Sequence, residues 1–150
     1  MGFLGEHEIR LDDKGRARIP SSLKDKLSPK ANNKFVVTRG FENCLLLYPY
    51  DVWESVTEEL KNLNTFVKEN RDFLRRFMGG ATELTMDGND RVNLPNHLLD
   101  YAKIKKEIIL APQNDKYEIW DKKTYDDLMN SDNGSSYEEL AERVMGKINR

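Results

Sequence analysis

The chain has 150 residues, of which 38% are hydrophobic and 33% are charged, and this composition suits one compact soluble domain or two small ones that share a core. It contains no apolar run near the roughly 18 residues that a membrane span needs, and its N-terminus lacks the pattern of a signal peptide. The single cysteine, Cys44, excludes an intramolecular disulfide and fits a reducing cytoplasm.

The net charge of −2 counts mildly against a nucleic-acid binder, but the charge is unevenly distributed. Residues 1–78 carry 14 Lys and Arg against 12 Asp and Glu, whereas residues 79–150 carry 10 against 14. If the protein binds a polyanion, the first half is therefore the expected binding region.

The chain begins with two strand-like stretches joined by a short turn. Residues 8–12 and 16–19 alternate polar and apolar side chains, which is typical of half-buried strands. Gly15 ends the three-residue connection, where antiparallel strands often need a left-handed residue. We predict a hairpin with Asp12 and Arg16 paired at its stems. The alternation places Ile9, Leu11, Ala17 and Ile19 in the core, and Arg10, Arg16 and Arg18 outside.

The rest of the first half predicts a short helix at 20–27, buried strands at 34–38 and 44–48, and a helix at 52–63. Asp51 and Glu54 have the spacing of a capping box for that helix. A further helix is expected after Asn64 or Thr65, ending at Gly79-Gly80. Its apolar stripe consists of Phe66, Phe73, Leu74, Phe77 and Met78.

The turn sequence then recurs. Residues 87–95 repeat the frame of residues 12–20, with Asp, three residues, Arg and, four positions later, Pro. The flanking segments recur in the same order, through a helix break at 131–135 and a capping box of Ser136 with Glu139. The chain is therefore expected to be α+β, with two tandem β-β-α-β-β-α-α repeats at 1–78 and 79–150 that share one core.

Nothing in the sequence indicates an enzyme. His7 and His97 lie in no metal-ligand spacing, and Cys44 opens an apolar run typical of a buried structural thiol. No Gly-rich phosphate loop is present. We expect no catalytic residue, metal, cofactor or small-molecule substrate.

The basic turn indicates a binding function. Lys14, Arg16 and Arg18 point outward at and after the turn, and a two-stranded ribbon is narrow enough for the DNA major groove. Asp12 and Asp87 are expected to orient Arg16 and Arg91, since a pre-positioned guanidinium loses less freedom on binding. On these residues alone, two ion pairs that merely staple exposed turns are an equal alternative.

Several segments together resemble the bacterial MraZ family over essentially the whole chain. They are FLGE at 3–6, LDDKGR at 11–16, IP at 19–20, FVVTRG at 35–40, CLLLYP at 44–49, Trp53, LP at 94–95, KEIIL at 106–110 and EIWD at 118–121.

The resemblance implies two AbrB-like swapped-hairpin repeats in one pseudo-two-fold, β-barrel-like domain with flanking helices. It implies a transcriptional regulator, expected to be a repressor, of the division and cell wall gene cluster. The family is expected to bind double-stranded DNA at direct repeats upstream of its own operon, as a ring-shaped homo-oligomer in the cytoplasm and nucleoid, with no membrane partner. Lys14, Arg16, Arg18 and Arg91 are the expected DNA-binding residues.

The second copy departs from the family pattern. Asp90 stands where Gly15 precedes its arginine, and Asn93 replaces the cation of Arg18. We therefore expect a weaker DNA contact or an oligomer contact from the second copy. An AbrB-type antitoxin or transition-state regulator with another operator is the alternative function. A structural oligomer whose repeats only assemble is the third.

Overall fold

The computed structural model describes residues 2–131 and 134–148. The first half contains β1 (His7–Arg10), β2 (Arg16–Arg18), α1 (Ser21–Lys24), a 3-10 turn (Pro29–Ala31), β3 (Lys34–Arg39), β4 (Leu45–Pro49), α2 (Tyr50–Leu60) and α3 (Lys68–Gly80). The second contains β5 (Thr82–Thr85), β6 (Arg91–Asn93), α4 (Asn96–Tyr101), β7 (Glu107–Gln113), β8 (Lys116–Asp121), α5 (Lys122–Asn130) and α6 (Tyr137–Ile148). The α+β class and the repeated element order are confirmed. Asp132 and Asn133, within the predicted helix break, lie outside the described residues.

The two halves interleave their strands in one antiparallel sheet, in the order β1-β7-β8-β4-β3-β5. The first strand of each half pairs with the third strand of the other, so that β1 lies on β7 and β5 lies on β3. The halves also meet at the central β4–β8 pair. The order is therefore symmetric about the middle of the sheet. The sequence boundary between residues 78 and 79 stays a prediction.

The expected barrel-like closure is wrong, because the sheet is open with β1 and β5 at its edges. After each of these strands of 4 residues the chain turns away. It enters β2 or β6, which pair with each other as a separate two-stranded ribbon. Because β2 and β6 leave the sheet, they do not join its edge strands β1 and β5, and the sheet stays open.

The predicted hairpin is correct as a turn and wrong as a strand pairing. The Asp12 amide donates to the Arg16 carbonyl over 3.0 Å, so the chain reverses. Beyond it, β1 joins β7 and β2 joins β6. The apolar residues of β1 and β2 lie in one core to which both halves contribute. Because each of these strands pairs with a strand of the other half, the two halves bury their apolar residues together.

The main core lies on the side of the six-stranded sheet that faces the β2–β6 ribbon. Helices α1 and α4 contribute side chains to it. All eight apolar positions that the two motifs share are buried: Ile9, Leu11, Ala17, Ile19, Leu84, Met86, Val92 and Leu94. Alternate residues of the central strands, such as Phe35, Leu47, Leu110 and Ile119, pack on them. The recurrence of the motif therefore reflects a shared core, as the sequence predicts.

The opposite side of the sheet is covered by helices. Trp53 from α2 and Phe77 from α3 stack at 5.3 Å between ring centroids and pack against β3 and β4. On the second half, Tyr125 from α5 packs against Trp120 at 6.1 Å. The ribbon and these helices therefore lie on opposite sides of the sheet.

Two local helix predictions are wrong. The α2 helix begins at Tyr50 after Pro49, with no side-chain cap, so Asp51 lies inside the first turn. Proline at the N-cap fixes φ for helix entry and replaces the predicted capping box. The α3 helix begins only at Lys68, which leaves Phe66 in the preceding turn and 93% exposed.

The last helix follows its predicted start, and its apolar side chains are exposed. Ser136 Oγ accepts from the Glu139 amide at 3.1 Å, and the Glu139 carboxylate faces the Ser136 amide at 3.4 Å, which confirms the capping box. The apolar stripe is exposed along the whole helix, at Tyr137, Leu140, Val144, Met145 and Ile148.

Candidate functional site

The first turn is organised by the Asp12 carboxylate. One oxygen accepts the backbone amides of Lys14 and Arg16, each at 2.9 Å, and the other accepts Arg16 Nε at 2.7 Å. Gly15 closes the turn with φ of 76°, and its amide donates to the Asp12 carbonyl over 3.0 Å. The predicted pairing of Asp12 with Arg16 is confirmed.

The same contacts set the charge of Asp12. The backbone amide of Arg16 is the largest influence that holds the pKa of the Asp12 carboxyl below its ordinary value of 3.8, followed by the Arg16 side chain and the Lys14 amide. Partial desolvation acts in the opposite direction. Asp12 is therefore ionised at neutral pH and orients the Arg16 guanidinium.

The second turn repeats this geometry. Asp87 accepts the amides of Asn89 at 2.8 Å and Arg91 at 3.0 Å, and it accepts Arg91 Nε at 3.2 Å. Its pKa is lowered chiefly by the Arg91 amide. Asp90 takes the left-handed position of the turn with φ of 61°, so the turn survives without glycine.

The charge of Asp90 has a partner that the sequence did not reveal. Its carboxylate lies 2.9 Å from Lys24 Nζ, on helix α1 of the other half. The position equivalent to Lys24 is Leu99, whose Cδ1 lies 3.5 Å from the point where Gly15 would carry a Cβ. Gly15 with Leu99 at the first turn therefore corresponds to Asp90 with Lys24 at the second. The two positions differ together between the halves.

The ribbon brings the two motifs together. Arg16 lies opposite Asn93, Ala17 opposite Val92, and Arg18 opposite Arg91. Ala17 and Val92 are buried, which leaves the outward face to three arginines and an asparagine. Sequence reasoning placed these arginines on separate hairpins. Asn93, noted from the sequence only because it lacks the cation of Arg18, shares this face with Arg16.

The two turns also touch through charge. Arg91 Nη1 lies 3.8 Å from the Asp12 carboxylate, so Asp12 faces the arginines of both motifs. The Arg16 and Arg91 side chains remain 29% and 28% exposed. Like charges directly opposite on a sheet are destabilising, so the Arg18–Arg91 pair has a cost that an anionic ligand would relieve. Lys14 is exposed beside them.

Other chemistry-bearing side chains have structural surroundings. Cys44 is buried, as predicted, and burial raises the pKa of its thiol to about 12. His7 lies beside Tyr117 at 5.9 Å between ring centroids. Residues 2–131 and 134–148 contain no group of three or more His, Cys, Asp or Glu that could hold a metal ion. Within the same ranges, no helix is long and apolar enough to cross a membrane.

Comparison with known proteins places the chain in a family. The model of the family described as "MraZ protein, putative antitoxin-like" matches the chain twice, at residues 2–76 and 77–148. The chain belongs to the MraZ family. It is 40% identical over 147 residues to the "Transcriptional regulator MraZ" of Christiangramia forsetii, covering 97% of this chain and 94% of that protein. The resemblance drawn from the motifs is therefore confirmed.

Proposed function

We propose that this MraZ family member is a DNA-binding transcriptional regulator without enzymatic activity, and that it reads DNA with the β2–β6 ribbon. The observation that carries the proposal is the outward face, where Arg16, Arg18 and Arg91 converge beside Lys14. Two of the guanidiniums are held in place by carboxylates. The name of the relative from Christiangramia forsetii supports regulation of transcription.

The ribbon suits base reading in a duplex. Two strands fit the major groove, and a guanidinium held at Nε still presents its terminal nitrogens to guanine O6 and N7. Lys14 and Arg18 are exposed and serve phosphates. The net charge of −2 does not oppose this, because charges beyond about 10 Å are screened.

We further propose that the regulator represses the division and cell wall gene cluster from direct repeats upstream of its own operon, at the nucleoid. One ribbon reads few base pairs and binds weakly. Several ribbons on one oligomer, facing repeated boxes, gain affinity through effective concentration. This makes the oligomer part of the proposed function.

Two unlike apolar surfaces support a ring. One is the exposed stripe of α6. The other is a groove of about 750 Å³ between the β3–β4 turn and α3, whose aromatic lining of Phe41, Phe73, Phe77 and Tyr101 is bordered by Arg39, Glu69, Asp72 and Arg76. Phe41 is 75% exposed there. A stripe that docks into the groove of the next copy makes a head-to-tail contact, and repeated contacts of this kind form a ring when the rotation between copies closes.

Titration of labelled duplex tests the proposal. The wild-type protein should bind the DNA upstream of its own gene more tightly than a scrambled duplex of equal length, with affinity falling steeply as salt rises. Arg16→Ala should lose about 10- to 100-fold on the upstream DNA, the worth of one bidentate base contact. The control is Arg75→Ala, which lies on the helical side of the sheet. A flat salt dependence, or an Arg16→Ala variant equal to the control, would contradict the proposal.

The antitoxin alternative has support in the family description. An antitoxin binds the toxin that is encoded beside it. Co-expression with each neighbouring gene product separates the two functions, because a stable stoichiometric complex that restores growth from a toxic neighbour favours the antitoxin. Operator binding without such a complex favours the regulator.

A further inference from the structure

A cleft beside the first turn collects cations from three segments. It has a volume of about 420 Å³ and includes Arg10 from β1, Lys14 from the turn, and Lys105 and Lys106 from the segment before β7. All four cations are exposed. The carboxylates that line it are Asp12, already bound to Arg16, and Asp13.

The equivalent place beside the second turn shows what the fold itself requires. The Leu11 amide donates to the Lys106 carbonyl over 2.7 Å, and the Met86 amide donates to the Asn33 carbonyl over 3.0 Å, so Lys106 and Asn33 are equivalent. By the same alignment, Arg10 corresponds to Thr85 and Lys14 to Asn89. Lys105 then corresponds to Asn32.

Each of the four positions that carries a cation in the first cleft is thus a neutral residue beside the second turn. The backbone is held by matching hydrogen bonds in both places, so the positive charge is no requirement of folding. Four like charges around one cleft repel one another. Within the described residues no carboxylate lies within the 4.0 Å of an ion pair to Nζ of Lys105 or Lys106, and the nearby Asp121 carboxylate accepts the Lys105 backbone amide over 3.1 Å. Such an arrangement suits a polyanion.

We propose that this cleft is a phosphate-binding channel for the DNA backbone, continuous with the ribbon. The inference rests on the proposed DNA binding and deepens it. Lys14 and Asp12 belong to both the cleft and the turn, so a duplex read by Arg16 runs its phosphates past Lys105 and Lys106. These two lysines supply affinity and register, without reading sequence.

The test compares two matched double variants of the full chain, Lys105→Gln/Lys106→Gln and Lys122→Gln/Lys123→Gln. The control pair lies on α5, on the helical side of the sheet, with each lysine near an aspartate. Affinity is measured against salt for the upstream duplex and for a scrambled duplex. The cleft variant should weaken binding to both duplexes by the same factor, and its salt slope should be shallower by about 1.8, since each phosphate contact contributes about 0.9.

The possible outcomes separate the inference from the function on which it rests. A cleft variant that matches the control, while the wild type binds the upstream duplex, overturns the channel and leaves the proposed function intact. A loss confined to the upstream duplex also overturns it, because it would assign base reading to the lysines. A wild type that binds neither duplex overturns the proposed function and the channel together.

Discussion

Asp12 and Asp87 hold their arginines with the same set of hydrogen bonds, but the charge around the two arginines differs. Arg16 pairs with one carboxylate at 2.7 Å. Arg91 lies 3.2 Å from Asp87 and 3.8 Å from Asp12, whereas the carboxylate of Asp90, which precedes it in the chain, is paired with Lys24. The two side chains are almost equally exposed, so negative charge is what distinguishes them.

The first prediction follows from this difference. Arg91→Ala should weaken binding to the upstream duplex by less than Arg16→Ala, because phosphates and base acceptors are repelled by the carboxylates around Arg91. Equilibrium titration of both variants at one salt concentration measures it. Equal losses would show that the two halves contribute alike and would refute the asymmetry.

The second prediction concerns pH. The pKa values of Asp12 and Asp87 are lowered in the folded chain, mainly by the amides of Arg16 and Arg91. The unfolded chain therefore binds more protons in acid. The stability that these carboxylates contribute is fully present above about pH 4 and is lost as pH falls through the lowered values.

Asp12→Asn/Asp87→Asn should accordingly show a smaller fall of Tm than the wild type between about pH 5 and pH 2. Thermal melts across that range measure the difference. Asp13→Asn/Asp25→Asn, which removes two exposed carboxylates that form no ion pair with the described residues, is the matched control. A double variant with the acid sensitivity of the wild type would contradict the role given to the two turns.

For single strands and helices, the sequence pattern predicts burial better than it predicts pairing partners and helix starts. The alternation in β1, β2, β5 and β6 predicted their buried residues correctly, because the side-chain period of a strand is a local property. The partner of a strand of 3 residues is decided by distant packing, and so the β2–β6 pairing was missed. Phe66 was misplaced because an aromatic residue near a helix start fits the helical period whether or not the helix has begun.

The site was predicted in part for the same reason. The Asp12–Arg16 and Asp87–Arg91 pairs lie within one turn each and could be inferred from spacing. Lys24 reaches Asp90 from the other half of the chain, and no local pattern signals that contact. DNA contact by Lys14, Arg16, Arg18 and Arg91 stays a prediction.

The third prediction concerns helix α6. Deletion of residues 137–148 removes the apolar stripe, and Phe41→Glu charges the groove, so each change should reduce the oligomer to monomers by light scattering. In a head-to-tail contact each variant still carries one intact surface. Mixing them should therefore restore one contact and give dimers. Assemblies of wild-type size from either variant alone, or no dimer on mixing, would contradict the proposed contact.

At the scale of the whole molecule, the interleaved sheet explains why one chain carries two copies of the motif. Neither half completes a ribbon, because β2 comes from the first half and β6 from the second. The exchange places three arginines from distant parts of the sequence on one face. We propose that this face contacts DNA.

Photo-crosslinking tests that claim most directly. Position 93 lies on the outward face of the ribbon opposite Arg16, and position 123 lies on α5 on the other side of the sheet. A benzophenone side chain introduced in place of Asn93 should crosslink to the upstream duplex, and the same group in place of Lys123 should give little product. Equal yields from the two positions, or product from position 123 alone, would contradict the account.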